Sequence, residues 1–261
     1  MAGKGFDLNG KVALVTGGNG GIGLGMAEGL AQAGCDLVIW GGNPSKNAAA
    51  EAKLKAFGRR VLVQKVDVSD EAQVEAGFAE ALKVMGRIDG CFANAGVSQA
   101  RAAFHELSTA EWRRVLSVNL DGAFFTLRAA ARHMVERGKN GGTSGGRLIG
   151  MASTASVHGA ARAQSYAASK GAMVSVIRAL AVEMARYNVT ANSILPGWIE
   201  TEMTAAGVAD PKFSGNVLPR IPARRWGQGS DFAGIAVYLM SDASSYHTGD
   251  SFVIDGAYTI F

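Results

Sequence analysis

Tyr166 and Lys170 stand four residues apart in Tyr166-Ala167-Ala168-Ser169-Lys170, just over one helical turn, so on a helix both side chains point the same way. A nearby ammonium favours the phenolate and lowers a phenol's pKa from its usual value of about 10. Such tuning lets a tyrosine exchange a proton near neutral pH. On an ordinary amphipathic helix the same pair is only a packed or solvated face. Ser153 weighs against that reading, because it ends the apolar run Arg147–Ala152. Strand carboxyl ends converge on the ligand crevice of open α/β sheets, so a hydroxyl there could bind a substrate oxygen.

A second kind of chemistry is written at Thr16-Gly17-Gly18-Asn19-Gly20-Gly21-Ile22-Gly23. A diphosphate reaches main-chain N–H groups at a helix N-terminus only where no Cβ intervenes. Gly18, Gly20 and Gly23 satisfy G-x-G-x-x-G, while Gly17, Gly21 and Gly23 satisfy a looser G-x-x-x-G-x-G, and spacing alone leaves both open. The acid that would accept hydrogen bonds from an NAD ribose is missing after the second apolar run, which ends Ile39-Trp40-Gly41-Gly42-Asn43. No Arg is in place to bind a 2′-phosphate either, and Asn43 could bond ribose hydroxyls.

The elements that must position these groups alternate. Lys11–Val15 reads as a strand, the glycine turn follows, and Ile22, Met26, Leu30 and Ala33 recur at helical spacing. Strand, helix and strand then repeat as Asp36–Trp40, Ser45–Phe57, Val61–Val68, Asp70–Met85 and Ile88–Ala93. A long helix opens at the capping box Ser108-Thr109-Ala110-Glu111 and runs to about Arg137. Gly146–Ala152, Ala163–Tyr187, Val189–Leu195, Gly229–Met240 and Ser251–Asp255 complete the series. This predicts one α/β domain over residues 1–261, a Rossmann-type doubly wound parallel seven-stranded sheet with helices on both faces. Trp198–Gln228, which holds Pro211, Pro219 and Pro222, interrupts the rhythm after a strand end and is expected to be a mobile lid over the substrate.

The 261 residues are 48% hydrophobic and 18% charged, enough for a sizeable core. The net charge of +4 is scattered in pairs such as Arg59-Arg60 and Arg113-Arg114, so no nucleic-acid partner is expected. Cys35 and Cys91 offer neither a disulfide framework nor metal-ligand spacing, and no metal is expected. Without a signal-like stretch or a membrane-length apolar run, the chain reads as cytoplasmic with no membrane partner.

The glycine turn together with Asn94-Ala95-Gly96, Asn119, Ser153 and Tyr166-x-x-x-Lys170 resembles the short-chain dehydrogenase/reductase family in its compact single-domain form. Pro196-Gly197-Trp198-Ile199-Glu200-Thr201 and Ile254-Asp255-Gly256 fit the same pattern, so the likeness spans about Gly10 to Gly256. It implies an NAD(P)-dependent oxidoreductase that interconverts a secondary alcohol and a ketone by hydride transfer. Tyr166 would be the general acid/base, Ser153 would hold the substrate oxygen, and Lys170 would bond the nicotinamide ribose while lowering the Tyr166 pKa. Asn119 would order a water connecting Lys170 to solvent. The resemblance selects the Gly17, Gly21, Gly23 register, with Asn19, Gly20 and Ile22 completing the cofactor turn. Asp67 and Val68 would meet adenine, Asn94, Ala95 and Gly96 the riboses, and Pro196, Gly197, Ile199 and Thr201 the carboxamide side.

Gly20 stands where NADP-preferring members often carry Arg or Lys, and with Gly42 it removes both usual phosphate clamps, which tips the balance slightly toward NAD(H) over NADP(H). Gln99, Ala155, Ser156, His158, Trp198 and Met203 are expected to wall the substrate, a set that suits a neutral alcohol or ketone better than a phosphorylated sugar. Arg101 and Arg162 could bind a carboxylate if they faced inward. The family also implies a homotetramer built on the helices Glu111–Arg137 and Ala163–Tyr187. The competing reading is a regulator or scaffold that keeps the nucleotide pocket and does no chemistry.

Overall fold

A computed structural model describes residues 4–100, 102–139 and 145–261 of the chain; Arg101 and most of Lys139–Gly145, a Gly/Ser/Thr stretch that reads as a solvated connection between a helix and a strand, lie outside the described residues. Among these residues, seven strands form one parallel sheet: β1 (Val12–Thr16), β2 (Asp36–Trp40), β3 (Val61–Gln64), β4 (Gly90–Ala93), β5 (Gly146–Met151), β6 (Val189–Pro196) and β7 (Ser251–Ile254). Their order is β3-β2-β1-β4-β5-β6-β7, with the direction of winding reversing between β1 and β4. That reversal is what opens a crevice at the carboxyl ends of β1 and β4.

The strands are nearly all apolar because both faces are covered. Side chains alternate across the sheet, so Val12 and Leu14 of β1 join one core and Ala13 and Val15 the other. The first core packs against α3 (Glu71–Met85), α5 (Gly122–Lys139) and α6 (Gln164–Met184). The second packs against α1 (Gly21–Gln32) and α9 (Ala233–Met240). Around α2 (Pro44–Lys55), the chain is close to the predicted Ser45–Phe57 helix.

Several features differ from the sequence reading, three of them in ways that bear on the site. The predicted Val61–Val68 strand stops at Gln64, because β3 is an edge strand with only β2 to pair. The long helix to Arg137 is broken into α4 (Thr109–Leu116) and α5 by a π-helical turn at Ser117–Asp121. Apolar periodicity cannot show such a turn, since one extra residue leaves both flanking helices in pattern. The segment 198–228 carries structure of its own, including α7 (Ala205–Ala209) and α8 (Pro211–Val217). Its base is closed by a bridge between Ile199 and Gly227, with Gly227 N–H donating to the Trp198 carbonyl at 3.0 Å.

Candidate active site

The glycine turn joins β1 to α1. Gly17 and Gly21 have φ of +64° and +51°, a region that suits glycine, and a Cβ on Gly23 would lie 2.3 Å from the Gly17 carbonyl oxygen. A Cβ on Gly20 would meet nothing within 4 Å. Backbone conformation at 17 and 21 and close approach at 23 therefore call for glycine at the looser of the two registers. Two residues given no separate role in the sequence reading brace this turn. The Thr16 hydroxyl accepts from Asn94 N–H at 3.0 Å and Ala95 N–H at 2.9 Å, while Asn94 Nδ2 donates to the Thr16 carbonyl at 2.8 Å. Asn47, buried on α2, accepts from Asn19 Nδ2 at 2.7 Å and donates to the Gly41 carbonyl at 2.9 Å. The signal for Asn47 was its polarity on the inward face of an otherwise Ala-rich helix.

A cleft of about 750 Å³ runs from this turn across the ends of β4, β5 and β6. Of the residues proposed from sequence, Gly17, Asn19, Gly20, Gly21, Ile22, Gly23, Asn94, Ala95, Gly96, Ser153, Tyr166, Lys170, Pro196, Gly197, Ile199, Thr201 and Met203 line it. The sequence reading left out Lys46, Arg114 and Glu202, which also line it. Lys46 could reach a 2′-phosphate from its sequence position, although a lysine in a helix first turn is more often solvated.

Tyr166 lies in the first turn of α6 and Lys170 one turn on, with the ammonium 5.7 Å from the phenol ring centroid. Lys170 is 4% exposed and donates from Nζ to the Met151 carbonyl at 2.8 Å, at the end of β5 beside Ser153. Burial pushes its pKa down to about 8. Burial raises the Tyr166 phenol, and a hydrogen bond with Ser153 works in the opposite direction. Ser153 Oγ also accepts from Ala155 N–H at 3.1 Å, capping the short turn Thr154–Ser156. Asn119 sits in the π-helical turn, 1% exposed, with both amide hydrogens used: Oδ1 accepts from Val97 N–H at 2.8 Å, and Nδ2 donates to the Val97 carbonyl and to Ser169 Oγ. Its side chain thus ties the loop after β4 to α6. That loop passes close to the ammonium, since a Cβ on Gly96 would lie 3.5 Å from Lys170 Nζ.

Other proposed residues lie outside the lining of the cleft. Asn43 is exposed and caps α2 by accepting from Lys46 N–H at 3.1 Å. Exposed Asp67 closes a local turn on Ser69, and Val68 is buried beneath Gly122. Trp198 packs edge-on to Phe213, Trp226 and Tyr258, and His158 touches the same Tyr258 ring. These rings form a satellite core that holds segment 198–228. Gln99 is 7% exposed and bonded wholly to residues 162–165. Arg162, at φ +59°, is exposed where α6 begins.

A glycine cradle at the β1–β4 switch point, facing a buried lysine, a tyrosine and a serine on one cleft, defines a dinucleotide-dependent oxidoreductase of the doubly wound class. A family profile described as Enoyl-(Acyl carrier protein) reductase matches residues 17–259. The chain is 40% identical over 253 residues to a 2-dehydro-3-deoxy-D-gluconate 5-dehydrogenase of Dickeya dadantii, covering 97% of each chain. It is 36% identical over 255 residues to a gluconate 5-dehydrogenase of Gluconobacter oxydans, covering 98% of this chain and 97% of that one. A crystal structure of a gluconate 5-dehydrogenase from Burkholderia cenocepacia, in complex with NADP and tartrate, superposes with a TM-score of 0.92 at 37% identity and 99% coverage of each chain. The chain belongs to the short-chain dehydrogenase/reductase family and is an NAD(P)-dependent oxidoreductase acting on CH–OH groups. No helix among the described residues is long and apolar enough to cross a membrane.

Proposed function

We propose that the chain interconverts a secondary alcohol and a ketone on a small unphosphorylated sugar acid, with D-gluconate and 5-keto-D-gluconate as the leading pair, using NADP(H). The observation that carries the chemistry is the convergence of Ser153, Tyr166 and Lys170 on the cleft that also holds the glycine cradle. The relatives named for gluconate and its dehydro derivatives support the substrate class.

The site fits a dinucleotide. Gly17, Gly21 and Gly23 leave the backbone N–H groups of the α1 N-terminus open toward a diphosphate. When bound, the nicotinamide supplies or accepts the hydride. Ser153 holds the substrate oxygen and Tyr166 moves the proton at that oxygen, donating it in reduction and accepting it in oxidation. Lys170 holds a ribose hydroxyl and, while charged, favours the phenolate. An intact Asn119, Ser153, Tyr166 and Lys170 set favours catalysis over a scaffold role. The NADP complex of the Burkholderia relative, together with Lys46 lining the cleft from the first turn of α2, supports NADP(H) over NAD(H) despite Gly20 and Gly42. Lys46 pairs with Glu202, so a 2′-phosphate would compete with that carboxylate.

Residues 198–228 act as the lid, hinged at the Ile199–Gly227 bridge. Phe124 on α5 is 47% exposed and Val182 on α6 is 83% exposed, apolar surface that suits burial in a homotetramer. Both cysteines are free and buried, as suits a reducing, cytoplasmic compartment. The test is absorbance at the reduced-nicotinamide band with gluconate, 5-keto-D-gluconate and neutral secondary alcohols, run with each cofactor. Turnover confined to neutral alcohols would reject the sugar-acid reading, and light scattering of a monomer at micromolar concentration would reject the tetramer.

A further inference from the structure

Helix first turns leave backbone N–H groups without intrahelical acceptors. In this chain the helix's own N-cap side chain serves α2 (Asn43), α3 (Asp70), α4 (Ser108) and α8 (Asp210). The N-cap of α6, the helix that carries Tyr166, is Ala163, which has no side-chain acceptor. The chain enters that helix through Arg162 at φ +59°, and Ser165 at its second position is fully buried. An uncapped first turn there would leave a buried N–H orphaned.

The acceptor comes from 66 residues away. Gln99 Oε1 accepts from Ser165 N–H at 2.8 Å and from Ser165 Oγ at 2.7 Å. Gln99 Nε2 donates to the Arg162 carbonyl at 3.2 Å and to Gln164 Oε1 at 3.3 Å. Every lone pair and hydrogen of the amide is thereby used on the entry to α6. The loop that carries Gln99 is itself clamped. Asn119 holds Val97, Arg114 donates to the Ser98 carbonyl at 2.7 Å, and Glu111 accepts from Ala100 N–H at 2.6 Å. Val97 and Ser98 of the same loop line the cofactor cleft.

We infer that Gln99 is a positioning residue that caps the Tyr166 helix from the neighbouring loop, so that the cleft wall after β4 sets where the phenol stands relative to Ser153. The inference rests on Tyr166 as proton donor, and it separates Gln99 from the substrate wall.

Gln99→Ala and the double variant Gln99→Ala/Ala163→Ser, which returns a local cap, decide it. For Gln99→Ala, kcat is expected to fall roughly 10- to 100-fold, the cost of a misplaced reacting group, while KM and the cofactor Kd stay within about 2-fold. The rise of the oxidation rate with pH moves to higher pH as the phenol leaves Ser153. Amide hydrogen exchange at residues 165–167 quickens about 5- to 30-fold, the scale of a lost cap, with the far-UV spectrum unchanged. The double variant restores both kcat and protection. Wild-type exchange in Gln99→Ala overturns the inference, as does a raised KM that Ala163→Ser fails to restore, since that is the signature of a substrate contact. If Tyr166→Phe keeps its turnover, the proton-donor reading falls instead, and the exchange measurement, which needs no substrate, still judges the cap.

Discussion

The two ends of the cleft are built differently. At the catalytic end, Ser153 is 8% exposed, Lys170 4% and Asn119 1%, and the bonds that hold Lys170 and Asn119 reach across the fold, to Met151 19 residues away, Val97 22 away and Ser169 50 away. At the opposite end, beyond β2 and β3, Asn43 and Asp67 are exposed and bond to backbone two or three residues away. Longer-range ties there are the Asn19–Asn47 hydrogen bond and the solvent-facing Lys46–Glu202 pair. Groups that must be placed to fractions of an ångström for proton transfer are held by packing and buried hydrogen bonds. The residues proposed for the adenosine, Asn43 and Asp67, sit instead on local turns in solvent, outside the lining of the cleft.

The contrast predicts a ladder of effects. Tyr166→Phe removes the only proposed proton carrier and should cut turnover by about 10³-fold or more, with cofactor affinity retained in a fluorescence titration; full turnover would reject the assignment. Gly23→Ala drives a methyl into the Gly17 carbonyl and Asn94, so cofactor binding should weaken about 100-fold and the melting temperature fall by several degrees. The pH profile tests the buried end alone. Because burial holds the phenol protonated at neutral pH, the acid form needed for reduction is present there and is lost as pH climbs. Loss of the Lys170 ammonium above about pH 8 disfavours the phenolate further, so reduction should persist through that range and fall only where the raised phenol itself ionises, while oxidation, which needs the phenolate, gains only at that more alkaline end. Equal pH dependence in the two directions would overturn this assignment. At the open end, Lys46→Met should weaken NADP(H) about 5- to 10-fold and leave NAD(H) unchanged, and a loss of both alike would make Lys46 merely structural. Smallest of all, Asn43→Ala should cost about 1 kcal/mol of stability in denaturant unfolding through its lost cap and barely alter cofactor affinity.

Much of this is legible in the residues alone. Alternating apolar runs identify the seven strands because a doubly covered sheet needs Val, Ile, Leu and Ala almost continuously, as in Val12–Thr16. The Tyr166–Lys170 spacing and the glycine-rich turn are local facts of helix period and backbone sterics, while the 17, 21, 23 register comes from the family resemblance and is matched by the backbone. Segment boundaries were less legible where long-range pairing sets them. Gln64 ends β3 because only one neighbour is there to pair, and Asn119 sits in a π-helical turn that preserves the apolar pattern on either side.

Side-chain roles divide along the same line. Residue types and their intervals along the chain settle which helices and turns form and which groups are chemically able to move a proton or cradle a diphosphate, because those properties are carried within a few residues. Gln99 and Trp198 were placed with the substrate on chain position alone, yet one spends its amide on the start of α6 and the other packs among Phe213, Trp226 and Tyr258. A polar or aromatic side chain takes whichever partner the packed chain brings within about 3 to 4 Å. Partners 50 or more residues distant come within that reach only once the sheet and its helices have closed around them.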